Sequence, residues 1–294
     1  MVTSVTRTIW LGSTAYTLFM CLTTQTKKTN SMRLITRNGL TLLEFEKISP
    51  TWHLKHCLST RIGGVSSGPF TTLNVGAELG DSINNVAENR KRVCEAIEAP
   101  INLVAMEQTH SANVSIIRDS DYPKWPNTAP NVDALITNIK SLTLLAVAAD
   151  CSLSLFFDPK HDVLAIAHSG WRGALLNIYG SVLRTMTLEY DTNPEDVYVG
   201  IGPTISSSYY NVEETIISKL RQMYPESIST NFYTLRNGKY FLRITSILEH
   251  QLSEQRVTNV ETSGICTAGS PDLLYSHRRE GLTGRNGLFA FIAR

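Results

Sequence analysis

The sequence predicts a single domain, from about residue 33 to residue 294, in which α-helices and β-strands are mixed. Apolar runs of strand length alternate along it with segments whose apolar residues recur at the spacing of a helix. No internal repeat or low-complexity linker divides this part of the chain. With 294 residues, of which 42% are hydrophobic and 18% charged, the chain can bury a substantial core.

The individual elements follow from these patterns. Continuous apolar runs predict strands over 141–149, 153–157 and 163–167. Helical spacing of apolar side chains predicts amphipathic helices over 85–99, 174–190, 212–224 and 245–255. Turns are marked by Pro194, Pro203 and Pro225. The apolar runs are typical of central strands that helices cover.

The first 31 residues differ in composition from the rest of the chain. They carry three basic residues and no acidic residue, and residues 9–22 form a short apolar stretch. This stretch is too short for a comfortable membrane span and has no clear signal-peptide cleavage site. We therefore expect residues 1–31 to be an N-terminal extension outside the folded core, with Met32 as the alternative start.

Composition also restricts the partners and the compartment. Lys and Arg number 27 against 26 Asp and Glu, which argues against the basic footprint of a nucleic-acid-binding protein. No segment predicts a membrane contact. The five cysteines are odd in number and widely separated, so a disulfide framework is not expected. We expect a cytoplasmic protein that acts on small molecules.

Three residues with metal-binding or nucleophilic side chains stand where apolar runs break into short polar turns: His110, Cys151 and His168. Imidazole and thiolate suit Zn²⁺ or Cu²⁺, and three protein ligands leave a fourth position open for water or substrate. A thiolate beside a histidine is also an activated nucleophile. Packing of a lone cysteine and hydrogen bonding of a lone histidine are the simpler alternatives.

A second group consists of arginines in glycine-bearing turns, namely Arg61, Arg172, Arg278, Arg279 and Arg285. The guanidinium fork matches phosphate or carboxylate oxygens, and glycine lets backbone amides approach the same anion. This pattern predicts an anionic substrate or co-substrate. Surface ion pairs with acidic residues are the alternative for each arginine taken singly.

Eight segments, in order along the chain, resemble the YfiH-like family, variously called multicopper polyphenol oxidases or laccase-domain proteins and purine nucleoside phosphorylases. They are TRIGGVSSGPFTTLNVG, VAENRKRV, EQTH, VDALIT, AADC, AHSGWRG, GIGPTISSSYYNVEE and SHRREGLTGR. The resemblance implies an α+β fold of one domain, with mixed sheets layered α/β/β/α. It also implies a metal site at His110, Cys151 and His168. Where many relatives carry cysteines, this chain has serines at 206–208.

The resemblance implies an enzyme whose partners are a purine nucleoside and phosphate. The expected reactions are phosphorolysis of adenosine, inosine and methylthioadenosine, and deamination of adenosine. For deamination, a metal at the three ligands would lower the pKa of the water that attacks C6 of the purine. Asp150 is a candidate to give the leaving ammonia a proton or to orient a ligand, although an Asp at a strand end also serves as a turn residue.

For phosphorolysis, the resemblance favours Arg278, in the SHRR turn, as the residue that holds phosphate. His277 is expected to donate to the purine or the ribose. The other candidate substrate contacts are Arg61, Asn74, Gln108 and Arg172. Asn74 is also suited to stabilising its own turn.

Other function classes stay open. A copper-dependent polyphenol oxidase agrees with one of the family names, but seven histidines are few for a cluster of several coppers. A metal-free cysteine hydrolase would use Cys151 as nucleophile and His168 as base, on an amide or a cell-wall precursor. A non-catalytic binding module would leave a reactive Cys-His-His set unused.

Overall fold

The structure, a computed structural model, describes residues 8–11, 14–17, 32–48, 52–118 and 128–294. It divides into two compact units, Met1–Asn30 and Ser31–Arg294. In the first unit, strands β1 (Thr8–Leu11) and β2 (Thr14–Thr17) pair antiparallel. Most of the expected N-terminal extension, residues 1–31, lies outside the described residues, and its separation from the domain expected over 33–294 stays a prediction.

The second unit contains a large mixed sheet. Its strands, numbered in chain order, are β3 (Met32–Arg37), β4 (Leu40–Phe45), β5 (Leu54–Ser59), β6 (Leu103–Met106), β8 (Thr128–Ala129), β10 (Thr143–Ala148) and β18 (Asn286–Ile292). Side by side they lie in the order β3-β4-β5-β18-β10-β6-β8. The C-terminal strand β18 pairs antiparallel with β5 and β10, whereas β6 pairs parallel with β10.

A second mixed sheet and a small antiparallel sheet complete the β-structure of the described residues. The second sheet comprises β7 (Val114–Ile116), β9 (Ala134–Thr137), β11 (Ser152–Asp158), β12 (Val163–Ser169), β13 (Tyr198–Ile201) and β17 (Asn259–Thr262). Its strands lie in the order β17-β13-β11-β12-β9-β7. The small sheet, which the sequence did not predict, is formed by β14 (Asn211–Val212), β15 (Tyr233–Arg236) and β16 (Lys239–Leu242).

The α-helices connect these strands. They are α1 (Ile83–Ala96), α2 (Trp171–Leu175), α3 (Ile178–Tyr190), α4 (Glu214–Met223), α5 (Glu226–Ser229), α6 (Ile244–Glu254) and α7 (His277–Glu280). Within the part of the chain that the structure describes, no helix combines the length and the apolar character that crossing a membrane requires.

The two large sheets pack face to face because their strand residues alternate between two apolar environments. Leu153, Leu155 and Phe157 of β11 belong to the same buried cluster as Leu144 and Ala146 of β10. The outer face of the second sheet packs against α3 and α6, and the outer face of the large sheet packs against α1. The predicted α+β fold, layered α/β/β/α, is therefore confirmed.

Most predicted elements are present with small shifts at their ends. The three predicted strands are β10, β11 and β12, and three of the predicted helices are α1, α4 and α6. The single helix predicted over 174–190 is wrong, because Asn177 adopts a left-handed conformation with φ 55° and ψ 54°. The Asn177 side chain accepts a hydrogen bond from the Gly180 N–H and so caps α3 as a separate helix.

Candidate metal and substrate site

The pairing of β11 with β12 brings Cys151 and His168 together. In this antiparallel register Ser152 lies opposite Ser169, and Leu153 lies opposite His168. Cys151 stands immediately before β11, and His168 is the penultimate residue of β12. The residues at the end of one strand therefore lie beside those at the start of the other.

His110 reaches the same place from a loop that follows β6. Its backbone is in the left-handed region, with φ 59°. The buried Asp133 carboxylate holds this loop by accepting hydrogen bonds from the main-chain N–H groups of Thr109, His110 and Ser111, at 3.2, 3.1 and 2.6 Å. The Ser111 hydroxyl adds a bond of 2.7 Å. The unusual backbone at His110 is thus fixed by one side chain.

The same carboxylate orients His168. The Asp133 Oδ1 atom lies 2.8 Å from His168 Nδ1, so that Nδ1 carries the proton and Nε2 is left to act as a ligand. Burial alone would raise the Asp133 pKa, but hydrogen bonds from His168 and Ser111 lower it to about 2. Asp133 is therefore an ionised anchor shared by two of the three predicted ligands.

The donor atoms of His110, Cys151 and His168 fit a metal ion. They all lie within 4.8 Å of one another, and His110 Nε2 is 3.9 Å from Cys151 Sγ. Tetrahedral zinc with ordinary Zn–N and Zn–S bonds would place such atoms roughly 3.3–3.7 Å apart. Small shifts would therefore complete a three-ligand site. Among the described residues, this is the one group of its kind.

The side-chain electrostatics also suit a metal site. Burial raises the pKa of Cys151, but the charge of His168 and hydrogen bonds from both histidines outweigh it and lower that pKa. Burial lowers the pKa of His168, but the charges and hydrogen bonds of Cys151 and Asp133 outweigh it and raise that pKa. The pair therefore favours a thiolate, the form of cysteine that binds metals.

Gly170 provides the space in which the ligands meet. A Cβ atom at this position would lie 2.8 Å from Cys151 Sγ and 3.2 Å from His110 Cδ2. Real Cβ atoms essentially never show the first distance, and the second is tighter than most real contacts. A side chain at Gly170, the first glycine of the HSGWRG segment, would therefore disturb the predicted ligand geometry.

The three ligands line a cavity of about 530 Å³. The other predicted site residues that line it are Asp150, Gln108, Arg172, His277 and Arg278. Arg61 and Asn74 do not line it. The structure therefore brings together eight of the predicted site residues and places two outside.

The Arg61 side chain is engaged by other residues of the protein outside the cavity lining. Its guanidinium donates to the Pro271 carbonyl at 2.9 Å and to Glu280 at 2.7 Å, and it stacks on the Tyr275 ring at 4.8 Å. The ion pair with Glu280 is the alternative fate considered for these arginines. Arg279 contacts the same carboxylate at 2.6 Å.

Asn74 is fully buried and stabilises its own turn, as its TTLNVG context allowed. Its side-chain Nδ2 donates to the Gly76 carbonyl at 3.1 Å, while Oδ1 accepts from the main-chain N–H groups of Gly76 and Arg285 at 3.0 and 2.9 Å. Asn74 therefore supports the cavity wall without facing the cavity.

Gln108 and Arg172 differ in how much they are already engaged. The Gln108 amide pairs with both backbone groups of Val147, at 2.7 and 2.9 Å, as an additional strand residue would. Arg172 is exposed and stacks on the Trp171 ring at 4.4 Å. Its guanidinium makes no ion pair with any acid in the described ranges.

A hydrogen bond joins the Asp150 carboxylate to the SHRR turn. Asp150 is buried, has φ 96°, and accepts from the Thr267 hydroxyl and from the Arg278 main-chain N–H, both at 2.6 Å. His277 Nδ1 lies 2.7 Å from the Gly281 carbonyl, so in the neutral ring Nε2 is an acceptor. In that form Nε2 would accept from a substrate, whereas the sequence analysis expected His277 to donate to the purine or the ribose.

Arg278 is occupied by the chain itself. Its Nη1 donates to the Tyr209 carbonyl at 3.3 Å, and to the carbonyl and the side-chain oxygen of Asn211 at 3.0 and 2.9 Å. The guanidinium lies 4.9 Å from the centre of the Tyr210 ring, which also lines the cavity. Arg278 thus secures Tyr210 beside the ligands.

Sequence reasoning gave no individual role to Asp133, Arg90 or Arg285. Asp133 carried a signal, since a buried carboxylate within an apolar segment requires partners. Arg90 had none, because helical spacing does not show that a charged residue turns toward a cavity. Arg285 was grouped with the turn arginines but received no role of its own. All three are placed by the tertiary structure.

A layered α/β/β/α fold with a His/Cys/His site in a cavity defines the class of protein. The chain belongs to the multi-copper polyphenol oxidoreductase laccase family, whose family model matches residues 55–293. The predicted YfiH-like family is confirmed, because the relatives found are members of it.

Two curated relatives carry the name purine nucleoside phosphorylase. The chain is 33% identical over 245 residues to YlmD of Geobacillus stearothermophilus, which covers 81% of this chain and 89% of that protein. It is 31% identical over 241 residues to YfiH of Escherichia coli, covering 80% and 93%. The crystal structure of YlmD from Geobacillus stearothermophilus matches with a TM-score of 0.82 at 30% identity, over 90% of this chain and 100% of that one.

Proposed function

We propose that the protein is a purine nucleoside phosphorylase that accepts adenosine, inosine and methylthioadenosine. The observation that carries this is one cavity that joins a His/Cys/His donor set to a lining rich in arginine. The names of the relatives support the same enzyme class. In the reaction, a phosphate oxygen bonds to C1′ of the ribose, the C1′–N9 bond breaks, and the purine gains the proton that phosphate releases.

His110, Cys151 and His168 would hold a Zn²⁺ or Cu²⁺ ion, which when bound supplies a Lewis acid beside the substrate. The protein's contribution is to fix the ligands. Asp133 keeps the proton of His168 on Nδ1 and holds the His110 loop by its backbone. The proposed chemistry therefore depends on Cys151 and His168 as two of the three residues that would hold the metal ion.

The remaining cavity residues would position the nucleoside. His277 Nε2 is suited to accept a hydrogen bond from a ribose hydroxyl, since Nδ1 is engaged by Gly281. The Tyr210 ring supplies an aromatic surface for the purine, and Arg278 holds it in place. Arg172 and Gln108 complete the lining.

Adenosine deamination is the second proposed activity, and the same donor set favours it. In that reaction water adds to C6 of the purine and ammonia leaves, and a metal ion held by His110, Cys151 and His168 would supply Lewis acidity there. Asp150 is better suited to orientation than to proton transfer, since both of its carboxylate oxygens accept hydrogen bonds from the chain. It fixes the turn before Cys151 and the first turn of α7.

Two alternatives have distinct supporting observations. The family description favours a polyphenol oxidase, but the described residues supply one group of three ligands, whereas multicopper chemistry needs several metal sites. The contact between His168 and Asp133 is also the arrangement of a Cys-His-Asp nucleophilic site, which keeps a cysteine hydrolase as the other candidate.

We also propose a cytoplasmic location, where Cys151 would stay reduced.

The experiment is chromatography of adenosine incubated with metal-replete protein, with and without phosphate, beside the Cys151→Ala variant. Adenine that requires both phosphate and Cys151 supports phosphorolysis, and inosine formed without phosphate supports deamination. If neither product forms, the purine proposal falls. Oxidation of a phenol with several coppers bound per chain would then indicate the oxidase. Full activity after chelation, with an acyl group trapped on Cys151, would indicate the hydrolase.

A further inference from the structure

Of the cavity arginines that have no acidic partner within the described ranges, two are also partly buried. Arg90 projects from α1 and Arg285 precedes β18, and both side chains are partly buried. Neither makes an ion pair in the ranges that the structure describes. This contrasts with Arg61 and Arg279, which share Glu280.

Both arginines are anchored to the segment formed by residues 74–76. Arg90 Nε donates to the Val75 carbonyl at 2.8 Å, and the Val75 N–H donates to the Arg285 carbonyl at 3.3 Å. A Cβ atom at Gly76 would lie 2.6 Å from Arg285 Cγ, so this glycine lets the Arg285 stem lie flat against the segment. The two side chains are therefore held at one wall of the cavity by the same backbone.

Each guanidinium keeps hydrogen-bond donors that the protein does not use. The Arg285 Nη1 donates to the carbonyls of Thr283 and Gly284 at 3.0 and 3.2 Å. Both Nη atoms of Arg90 and the Nη2 atom of Arg285 have no acceptor within the described ranges. Both residues line the cavity that also contains the metal-site residues.

Partial burial of the two positively charged guanidinium groups is unfavourable. Burial lowers the pKa of both arginines, although Cys94 and Glu78 oppose this at Arg90, and Cys151 and Asp150 oppose it at Arg285. A partly buried cation without a partner leaves its desolvation uncompensated, and a bound anion would offset that cost. The effect of Cys151 on Arg285 also places Arg285 within electrostatic reach of the metal-binding residues.

We propose that Arg90 and Arg285 form the subsite that binds inorganic phosphate. A pair of guanidinium forks matches the oxygens of a tetrahedral oxyanion. Arg90 and Arg285 take the role that the family resemblance suggested for Arg278, which is exposed and whose Nη1 is engaged by the 209–211 segment. The identification of the anion as the co-substrate rests on the proposed phosphorolysis, whereas the anion site itself does not.

The test is isothermal titration of inorganic phosphate into the metal-replete protein, with and without inosine. We expect Arg90→Gln and Arg285→Gln each to weaken phosphate binding about tenfold or more, because each variant removes a partly buried positive charge that would contact the phosphate. Arg285→Lys should give an intermediate loss, since it keeps the charge and removes the fork. Arg92→Gln is the matched control, because Arg92 lies on the same helix but pairs with Glu88 on the exposed surface at 2.8 Å.

The outcomes separate this proposal from the proposed function. Phosphate affinity within about twofold of wild type in all three variants, or no phosphate binding by wild type under either condition, overturns the subsite. If a substituted protein does not fold, as judged by its thermal unfolding, the Arg285→Lys titration decides. Phosphate binding that depends on both arginines, without any ribose 1-phosphate formed from nucleosides, supports the anion site while the phosphorylase proposal fails.

Discussion

At the scale of single residues, the site depends on an anchor that is not itself a ligand. Asp133 accepts from three successive backbone N–H groups of the His110 loop and from His168 Nδ1. One buried carboxylate therefore fixes a left-handed backbone and the tautomer of a ring that is predicted to bind metal. Removing its charge should disturb two ligands together.

We predict that Asp133→Asn weakens metal binding by about 10- to 100-fold, the usual cost of losing the partner of a ligating histidine. Competition with a chromophoric chelator measures the affinity. Asp158→Asn is the matched control, because Asp158 is equally buried and lies 2.7 Å from His161 Nδ1 outside the cavity. Equal losses of metal affinity in the two variants would show that Asp133 has no special role.

A second residue makes the stability of the fold depend on pH. His56 is buried in β5, and its Nε2 atom accepts a hydrogen bond from the Phe45 N–H at 3.0 Å, so the ring must be neutral. Burial lowers the pKa of His56 to about 4, although the charge of Glu44 opposes it. The folded pKa lies below the ordinary value of 6.5, so stability is fully present above pH 6.5 and is lost as pH falls toward 4.

We therefore predict that wild type loses about 3 kcal/mol of unfolding free energy between pH 6.5 and pH 4 through this residue. Urea unfolding across that range, compared with His56→Gln, isolates the effect, because glutamine keeps an acceptor but does not titrate. The difference between the two proteins should change with pH. Parallel curves would mean that His56 does not carry the dependence.

The sequence pointed to His110, Cys151 and His168 because each stands where an apolar run ends, and the structure brings the three side chains together. Their role as metal ligands stays a prediction. Asp133 and Arg90 were not assigned roles. Asp133 lies in a short apolar segment whose partner atoms come from a loop 22–24 residues earlier. Arg90 lies on a helix whose other charged residues are exposed or partly exposed. Only tertiary contacts distinguish such residues from solvated ones.

At the scale of elements, strand register and one glycine define the ligand geometry. The pairing of β11 with β12 sets Ser152 opposite Ser169, and Gly170 continues the backbone past Cys151 Sγ. The strands themselves were predictable from their apolar runs. The break at Asn177 was not, because a left-handed residue leaves no mark in helical periodicity. The small sheet β14–β16 was missed because its strands are two to four residues long.

We predict that Gly170→Ala reduces metal affinity at least about tenfold, because the added methyl displaces Cys151 Sγ and the His110 ring. Metal content after dialysis and chelator competition measure the loss. Gly200→Ala is the control for steric strain alone, since its Cβ would lie 2.5 Å from the Phe45 ring and outside the cavity lining. It should destabilise the fold and leave metal affinity unchanged. Unchanged metal binding in Gly170→Ala would contradict the spatial argument.

At the scale of the whole molecule, the three predicted ligands come from both large sheets. His110 follows β6 of the large sheet, His168 belongs to β12 of the second sheet, and Cys151 lies between β10 and β11, which connect the two. The sandwich was implied by family resemblance, since strand patterns alone do not specify which sheets stack. A metal held by these residues would link the sheets at one edge of their shared core.

This link leads to the last prediction, that metal binding stabilises the entire second unit. Zinc at a concentration about a thousandfold above its dissociation constant should add roughly 4 kcal/mol to the unfolding free energy. For a chain of this size, such a gain should raise the unfolding midpoint by about 8–16 °C at the usual 2–4 °C per kcal/mol. Calorimetry with zinc and with chelator measures the increment. Cys151→Ser should abolish it, whereas Cys266→Ser, whose thiol accepts from the Ser206 N–H outside the metal group, should retain it. An increment that survives in Cys151→Ser would place the stabilising metal elsewhere on the protein.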